Sequence, residues 1–304
     1  MTNTFFISTF YHFKALQNLE QIKKQLKEFA QSHSINGLVI LAPEGINSTF
    51  SARSESDQNR FKNFLKDFLS EPQLSFKDST SLECPFRRFS VKIREEIVTL
   101  NTPDLIPDGK NHHLTPAQWN QVLKTEKDFV MIDTRNWYET KIGTFKGAIT
   151  PATKQFTEFP QFIEEQKLSK NQKMLIFCTG GVRCEKGILD LQKRGYENVY
   201  QLEGGILKYL EEFPFDQFEG ECFVFDNRVA VDQNLKPSKT YKLCPHCGQP
   251  ASIQITCKRC DHPAPVCDDC LQLANKKDTC SKHCAHWFSL DPNKKGKHQN
   301  RVLD

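Results

Sequence analysis

Between Met174 and Lys186 the chain runs Met-Leu-Ile-Phe-Cys-Thr-Gly-Gly-Val-Arg-Cys-Glu-Lys. An apolar run of strand length ends on a cysteine, paired glycines permit tight curvature, and a helix begins. Such a loop turns successive backbone N–H groups inward and closes on a helix N-terminus, which together form an anion nest. A cysteine at its base, Cys178, is favoured as the thiolate because those donors and Arg183 stabilise the charge. The thiolate is also the nucleophilic form. A free cysteine is more often buried and inert, but an inert core position needs neither two glycines nor an adjacent arginine. Cys178 and Arg183 are therefore the candidate catalytic residues, with Thr179, Gly180, Gly181, Val182 and Cys184 as the supporting loop. Cys184 either resolves a bond formed on Cys178 or packs at the start of the helix, and the sequence leaves both roles open.

On either side of this loop, from Leu114 to about Phe213, short apolar runs alternate with amphipathic segments, the pattern of a parallel α/β sheet. Strands are expected at 129–133, 174–177 and 199–202, and helices at 116–124, 156–165, 184–193 and 206–212. Cysteine phosphatases set their arginine one residue further from the cysteine, usually with a histidine before it. Here Phe177 precedes Cys178, so the loop suits a group smaller than phosphate. Its length resembles that of rhodanese domains, which carry a persulfide on such a cysteine. Asp133-Thr134-Arg135 followed by Glu139, then Gly147-Ala148 and Gly204-Gly205-Ile206, stand at matching places. Asp133, Arg135 and Glu139 are expected to brace sheet and loop by salt bridging and not to act in catalysis.

Towards the N-terminus the order changes to β-α-β-β-α-β. A β-rich start at 5–10 leads to a helix with Leu19, Ile22, Leu26 and Phe29 on one face. A short strand at 37–41 turns through Pro43-Glu44-Gly45 towards a partner at 47–50, and Phe61, Phe64, Leu65, Phe68 and Leu69 mark a second helix. Residues 89–100 alternate as a closing strand. This order implies a ferredoxin-like (acylphosphatase-like) α+β sandwich. The expected divisions are 1–100 for that domain, 101–113 for a linker with Pro103, Pro107 and Gly109, 114–217 for the rhodanese-like α/β domain, and 218–304 for a cysteine-rich C-terminal region with a basic tail.

The chain has 304 residues, 38% hydrophobic and 26% charged, which excludes a disordered or fibrous protein. No run approaches the roughly 18 consecutive apolar residues of a membrane span. The first ten residues resemble no secretory signal, so a soluble cytoplasmic protein is expected. Eight of the twelve cysteines fall as Cys244/Cys247, Cys257/Cys260, Cys267/Cys270 and Cys280/Cys284. Without an export signal, such short spacings point to metal ligation and not to disulfides. Two pairs complete a tetrahedral four-thiolate site, so four pairs predict about two structural zinc ions, with sequential and crossed pairing both open. Between Leu271 and Asp304 there are seven Lys/Arg against three Asp/Glu, which accounts for the whole net charge of +4. A solvated tail and a phosphate-contacting one both fit that bias.

Several longer strings carry a family likeness: Ala42-Pro43-Glu44-Gly45-Ile46-Asn47, Lys92-Ile93-Arg94-Glu95-Glu96-Ile97-Val98, Gly143-Thr144-Phe145-Lys146, the loop from Cys178 to Lys186, and Cys222-Phe223-Val224-Phe225-Asp226-Asn227-Arg228-Val229-Ala230-Val231. With the terminal cysteine pairs, they make nearly the whole chain resemble the bacterial rhodanese-domain tRNA uridine hydroxylases. That resemblance implies an oxygen-dependent conversion of the wobble uridine to 5-hydroxyuridine, with molecular oxygen as co-substrate, the tRNA anticodon loop as partner and the family's active cysteine at Cys178. No flavin or nicotinamide fingerprint is evident. Arg87, Arg88, Lys92, Lys294, Lys295, Lys297 and Arg301 are candidates to hold the RNA phosphates. A thiosulfate-type sulfurtransferase working through a Cys178 persulfide is the alternative, and a non-catalytic zinc and tRNA adaptor the third reading.

Overall fold

A computed structural model describes residues 4–108 and 112–298. The chain divides into two compact units, one of residues 1–226 with 231–237 and one of residues 227–230 with 238–304. No helix among the described residues is long and apolar enough to cross a membrane.

The first unit begins with β1 (Phe5–Phe13), α1 (Leu19–Ser32), β2 (Asn36–Ala42), β3 (Gly45–Ala52), α2 (Glu55–Leu69), β4 (Lys77–Ser81) and β5 (Phe89–Ile93). These strands form one sheet in the order β4-β1-β3-β2-β5. Pairing is antiparallel except between β2 and β5. The expected sandwich is present, with two differences. An additional edge strand, β4, carries the sequence Lys-Asp-Ser-Thr-Ser, which has no apolar alternation to announce it. The closing strand stops at Ile93, where 89–100 was expected. Beyond it the chain is held by carboxylates: Ile97 N donates to Glu44 Oε1 at 2.7 Å and Leu100 N to Glu96 Oε2 at 3.0 Å.

Alternation along these strands gives the sheet two unlike faces. Phe10, Val39, Leu41, Phe50 and Val91 point into the core made with α1 and α2. On the other face Lys77 pairs with Thr9 and Thr9 with Thr49, while Tyr11, Asn47, Ile40 and Lys92 form the adjacent row. That second face is mixed, with the buried Ile7 beside these polar side chains, and Tyr11 on it reaches Glu185 of the next domain.

The central domain comprises β6 (His113–Leu114), α3 (Pro116–Thr125), β7 (Val130–Asp133), α4 (Trp137–Thr140), β8 (Gly143–Phe145), α5 (Phe159–Gln166), β9 (Met174–Phe177), α6 (Val182–Lys193), β10 (Val199–Leu202) and α7 (Gly205–Glu212). Its sheet runs β6-β10-β9-β7, all parallel. Parallel sheets are covered on both faces, and β9 shows why its run is continuously apolar. Leu175 and Phe177 enter a cluster with Trp119, Phe145 and Tyr209, whereas Met174 and Ile176 enter one with Phe159, Ile188 and Leu191. Helix α3 opens on a capping box between Thr115 and Gln118 with Pro116 in its first turn.

In the second unit, two hairpins pair Lys242–Leu243 with Pro250–Ala251 and Ile253–Thr256 with Pro263–Val266, followed by helices Asp268–Leu271 and Lys282–Leu290. Among its described residues, small buried clusters consist largely of cysteines.

Candidate active site

Cys178 follows β9 directly and is fully buried. The N–H of Gly181 donates to its sulfur at 3.1 Å. Gly181 has φ +101°, and a Cβ there would come within 2.9 Å of the Tyr11 hydroxyl, so only glycine suits this corner. The loop's carbonyls are taken up elsewhere: Ile206 N donates to Cys178 O at 2.9 Å and Leu207 N to Thr179 O at 3.1 Å. With its oxygens bound to the start of α7, the loop keeps its N–H groups for the sulfur and whatever the sulfur carries. Burial opposes ionisation of Cys178. A hydrogen bond from Cys184, the charge of Arg183 and the N–H groups of Arg183 and Cys184 outweigh it and bring the thiol down to about 5. Cys184 is the opposite case, since burial and the neighbouring Cys178 charge raise it. Its sulfur lies 3.7 Å from Thr134 Oγ1.

The Asp133, Arg135 and Glu139 set resolves into two buried ion pairs. Arg135 reaches Asp133 through Nε at 2.9 Å and Nη2 at 2.6 Å, and also donates to Gly143 O at 2.6 Å. Glu139 turns instead to the loop, where it accepts from Arg183 Nη1 at 2.6 Å and Nη2 at 2.7 Å. Asn136 N holds the same carboxylate at 3.1 Å. Arg183 is thus fixed by its terminal nitrogens and acts on Cys178 through charge and through its backbone.

Further residues surround the loop, and the N-terminal sheet brings two of them, Tyr11 and Lys77, which nothing in the loop's own sequence announces. Tyr11 donates to Glu185 Oε1 at 2.8 Å. Glu185 also meets His113 Nε2 at 3.0 Å and Gln201 Nε2 at 3.0 Å. Burial and the Glu185 carboxylate hold the Tyr11 hydroxyl well above its usual range. Lys77 Nζ lies 5.0 Å from the Tyr11 ring centroid. Burial pushes its ammonium down to about 8, although the Cys178 charge acts the other way. One turn into α6, Lys186 Nζ is fully buried and sits 2.6 Å from Glu44 Oε2 and 2.6 Å from Glu96 Oε2. Both carboxylates belong to strings noticed in the sequence, yet nothing local connects them to a lysine that lies 90 residues beyond Glu96 and further still beyond Glu44.

The eight clustered cysteines form two quartets, Cys244, Cys247, Cys267 and Cys270 in one and Cys257, Cys260, Cys280 and Cys284 in the other. Pairing is therefore crossed, the first pair with the third and the second with the fourth. Within each quartet the sulfurs lie within 4.8 Å of one another. Contacts such as Cys247–Cys267 at 3.4 Å, Cys260–Cys280 at 3.5 Å and Cys280–Cys284 at 3.7 Å are too long for disulfides. They approach the edge of about 3.8 Å expected for four thiolates around one ion at about 2.3 Å. Each quartet fits a closed tetrahedral metal site, which leaves no open position for chemistry.

Residues 5–97 match the UPF0176 acylphosphatase like domain, 116–212 the rhodanese-like domain and 219–285 the rhodanase C-terminal region. A tRNA uridine(34) hydroxylase of Bdellovibrio bacteriovorus is 55% identical over 97% of this chain and 85% of its own length. The chain belongs to the tRNA uridine(34) hydroxylase family. Members from Prochlorococcus marinus (41% identical, 83% of this chain, 84% of the relative) and Roseobacter denitrificans (40%, 90% and 93%) carry the same name.

The candidate phosphate contacts are divided between the two units. Arg87, Arg88 and Lys92 are exposed, and Lys92 lies in the same row of the sheet as Tyr11. Lys294, Lys295 and Lys297 are exposed in the second unit, where Lys295 pairs with Asp261 at 2.7 Å. Arg301 lies outside the described residues.

Proposed function

We propose that this chain hydroxylates C5 of uridine 34 in tRNA, the activity for which its relatives are named, with Cys178 as nucleophile and molecular oxygen as co-substrate. The observation that carries this reading is the state of Cys178. A fully buried thiol accepts the Gly181 N–H at 3.1 Å and is held near pKa 5, so it stands as a thiolate at neutral pH.

Uracil C5 is too weak a nucleophile to meet oxygen unaided. Addition of the Cys178 sulfur to C6 forms a C–S bond and moves an electron pair onto C5 and O4. C5 then bonds to oxygen and becomes a hydroperoxide. Two external thiol groups supply two electrons that convert it into a hydroxyl and one water, and they leave as a disulfide. Loss of the C5 proton with departure of sulfur from C6 restores the ring and the thiolate. The inward N–H groups and the fixed cation of Arg183 favour the sulfur as leaving group. Tyr11 of the N-terminal sheet packs on Gly181 of the loop, with Lys77 against its ring.

A base must leave its stack to reach a recessed sulfur, and an anticodon loop offers unpaired bases at low cost. The exposed Arg87, Arg88 and Lys92, together with Lys294, Lys295, Lys297 and Arg301, would hold phosphates, which makes binding steeply salt-dependent. Zinc is the metal that four-thiolate sites such as these suit, and there it is scaffolding for the cytoplasmic enzyme. Nucleoside mass spectrometry of tRNA from cells with and without the gene tests the reading. Loss of 5-hydroxyuridine supports it, and unchanged tRNA with efficient sulfur transfer from thiosulfate turns the assignment to a sulfurtransferase.

A further inference from the structure

Residues 222–225 leave the central domain as Cys-Phe-Val-Phe, and the last of them breaks the pattern. Cys222, Phe223 and Val224 are no more than 7% exposed, whereas Phe225 is 58% exposed. A single exposed apolar side chain is ordinary, so its exposure alone carries nothing. Its neighbours do. The Phe225 ring stands edge-on to Phe223, with centroids 5.0 Å apart at 87°, and the Arg183 guanidinium carbon lies 5.8 Å from its centroid. Phe223 stands in turn against Tyr138 at 5.4 Å, and its carbonyl accepts from Thr179 Oγ1 at 3.4 Å.

Thr179 and Arg183 both belong to the loop of Cys178. The ring is therefore tied from two sides to the segment that carries the nucleophile, while more than half of it stays in water. Arg183 cannot leave it to grip a ligand without breaking its pair with Glu139.

We propose that Phe225 is a stacking platform for an unstacked nucleobase of the RNA substrate, received on the free part of its ring as the RNA is opened towards Cys178. This inference rests on the tRNA reading above. Single-stranded RNA is recognised largely by aromatic rings on which splayed bases stack. A rigid aromatic beside a recessed nucleophile replaces the stacking that the base loses on leaving its neighbours. The buried Arg183 cation holds the ring itself through the contact at 5.8 Å.

The test uses the full chain with Phe225→Ala, Phe225→Leu and Phe225→Trp, and an unmodified tRNA transcript with uridine 34. The alanine variant should raise KM for the transcript on the order of ten- to a hundredfold. Leucine, which keeps apolar area but has no π-face, should recover little of that loss. The tryptophan variant should keep the parent's KM, and its emission should be quenched by the transcript beyond any change in the parent's three tryptophans. An unchanged alkylation rate at Cys178 in all three variants ties the effect to RNA and not to the loop. An alanine variant with the parent's KM, or tryptophan emission that follows the parent's, overturns the proposal. Extra quenching with no hydroxylation by any form would leave the platform standing and sink the hydroxylase reading instead.

Discussion

Arg183 and Glu139 meet through two hydrogen bonds, Nη1 to Oε2 at 2.6 Å and Nη2 to Oε1 at 2.7 Å, with both side chains buried. The carboxylate comes from α4 and the guanidinium from the first turn of α6, so the pair fastens the Cys178 loop to the neighbouring layer. Glu139 raises the Arg183 pKa against the effect of burial, which keeps a permanent cation beside Cys178.

Removing one partner of this pair should be costly, because it strands the other charge in the interior. Glu139→Gln should lower stability by about 3–5 kcal/mol, read from the urea midpoint. Arg183→Lys keeps the charge but not the planar fork, so it should not restore the alignment and should lose most turnover. A lysine variant with the parent's turnover would refute the positioning role.

Cys178 should show its own titration. Its thiolate appears as pH rises through about 5, so labelling by iodoacetamide, mapped by mass spectrometry, should be half-maximal near there and flat at neutral pH. Burial pushes Cys222 up to about 12, so it should stay unlabelled under the same conditions. The folded thiol lies below its ordinary value of 9.0. The stabilising linkage is therefore full above that ordinary value and is lost as pH falls through about 5. Lys77→Met removes a nearby cation and should move the Cys178 inflection upward. An inflection near the ordinary thiol value in the parent would contradict the nest.

Much of this was legible in the sequence for a plain physical reason. Strand 174–177 lies in a sheet covered on both faces, where burial writes itself as an unbroken apolar run. The loop was legible because Gly181 and Arg183 are local to Cys178. Strand β4 was not, since an edge strand of Lys-Asp-Ser-Thr-Ser needs only backbone pairing with β1. Tyr11, Lys77, Glu44 and Glu96 were also invisible as site residues, because only the docking of one sheet on another domain brings them to α6. The crossing of the cysteine pairs was undecidable from spacing, as either pairing closes two tetrahedral sites.

That docking rests on a fully buried lysine. Lys186 Nζ lies 2.6 Å from both Glu44 and Glu96, so Lys186→Met should leave two uncompensated carboxylates and cost about 3–5 kcal/mol. Combining it with Glu44→Gln should recover part of the loss, since the residues share one network. Chemical denaturation of the single and double variants measures the coupling; simple additivity would mean the triad is not a unit.

The quartets predict metal content directly. Purified protein should hold about two zinc ions per chain. Cys247→Ser and Cys260→Ser, one in each quartet, should each reduce the content by about one. A strong chelator should make the backbone of residues 242–290 exchange hydrogen rapidly. Full metal content in either serine variant would contradict the crossed ligand sets.

The proposed oxygen-dependent hydroxylation of uridine 34 depends on the Cys178 thiolate. The most direct measurement incubates the full chain, a thiol reductant and an unmodified tRNA transcript under isotopically heavy oxygen gas and weighs the released nucleosides. The expected product is 5-hydroxyuridine carrying one heavy oxygen atom, with none under argon and none from a folded Cys178→Ala variant. Hydroxylation that persists in that variant, or product oxygen drawn from water, would contradict it.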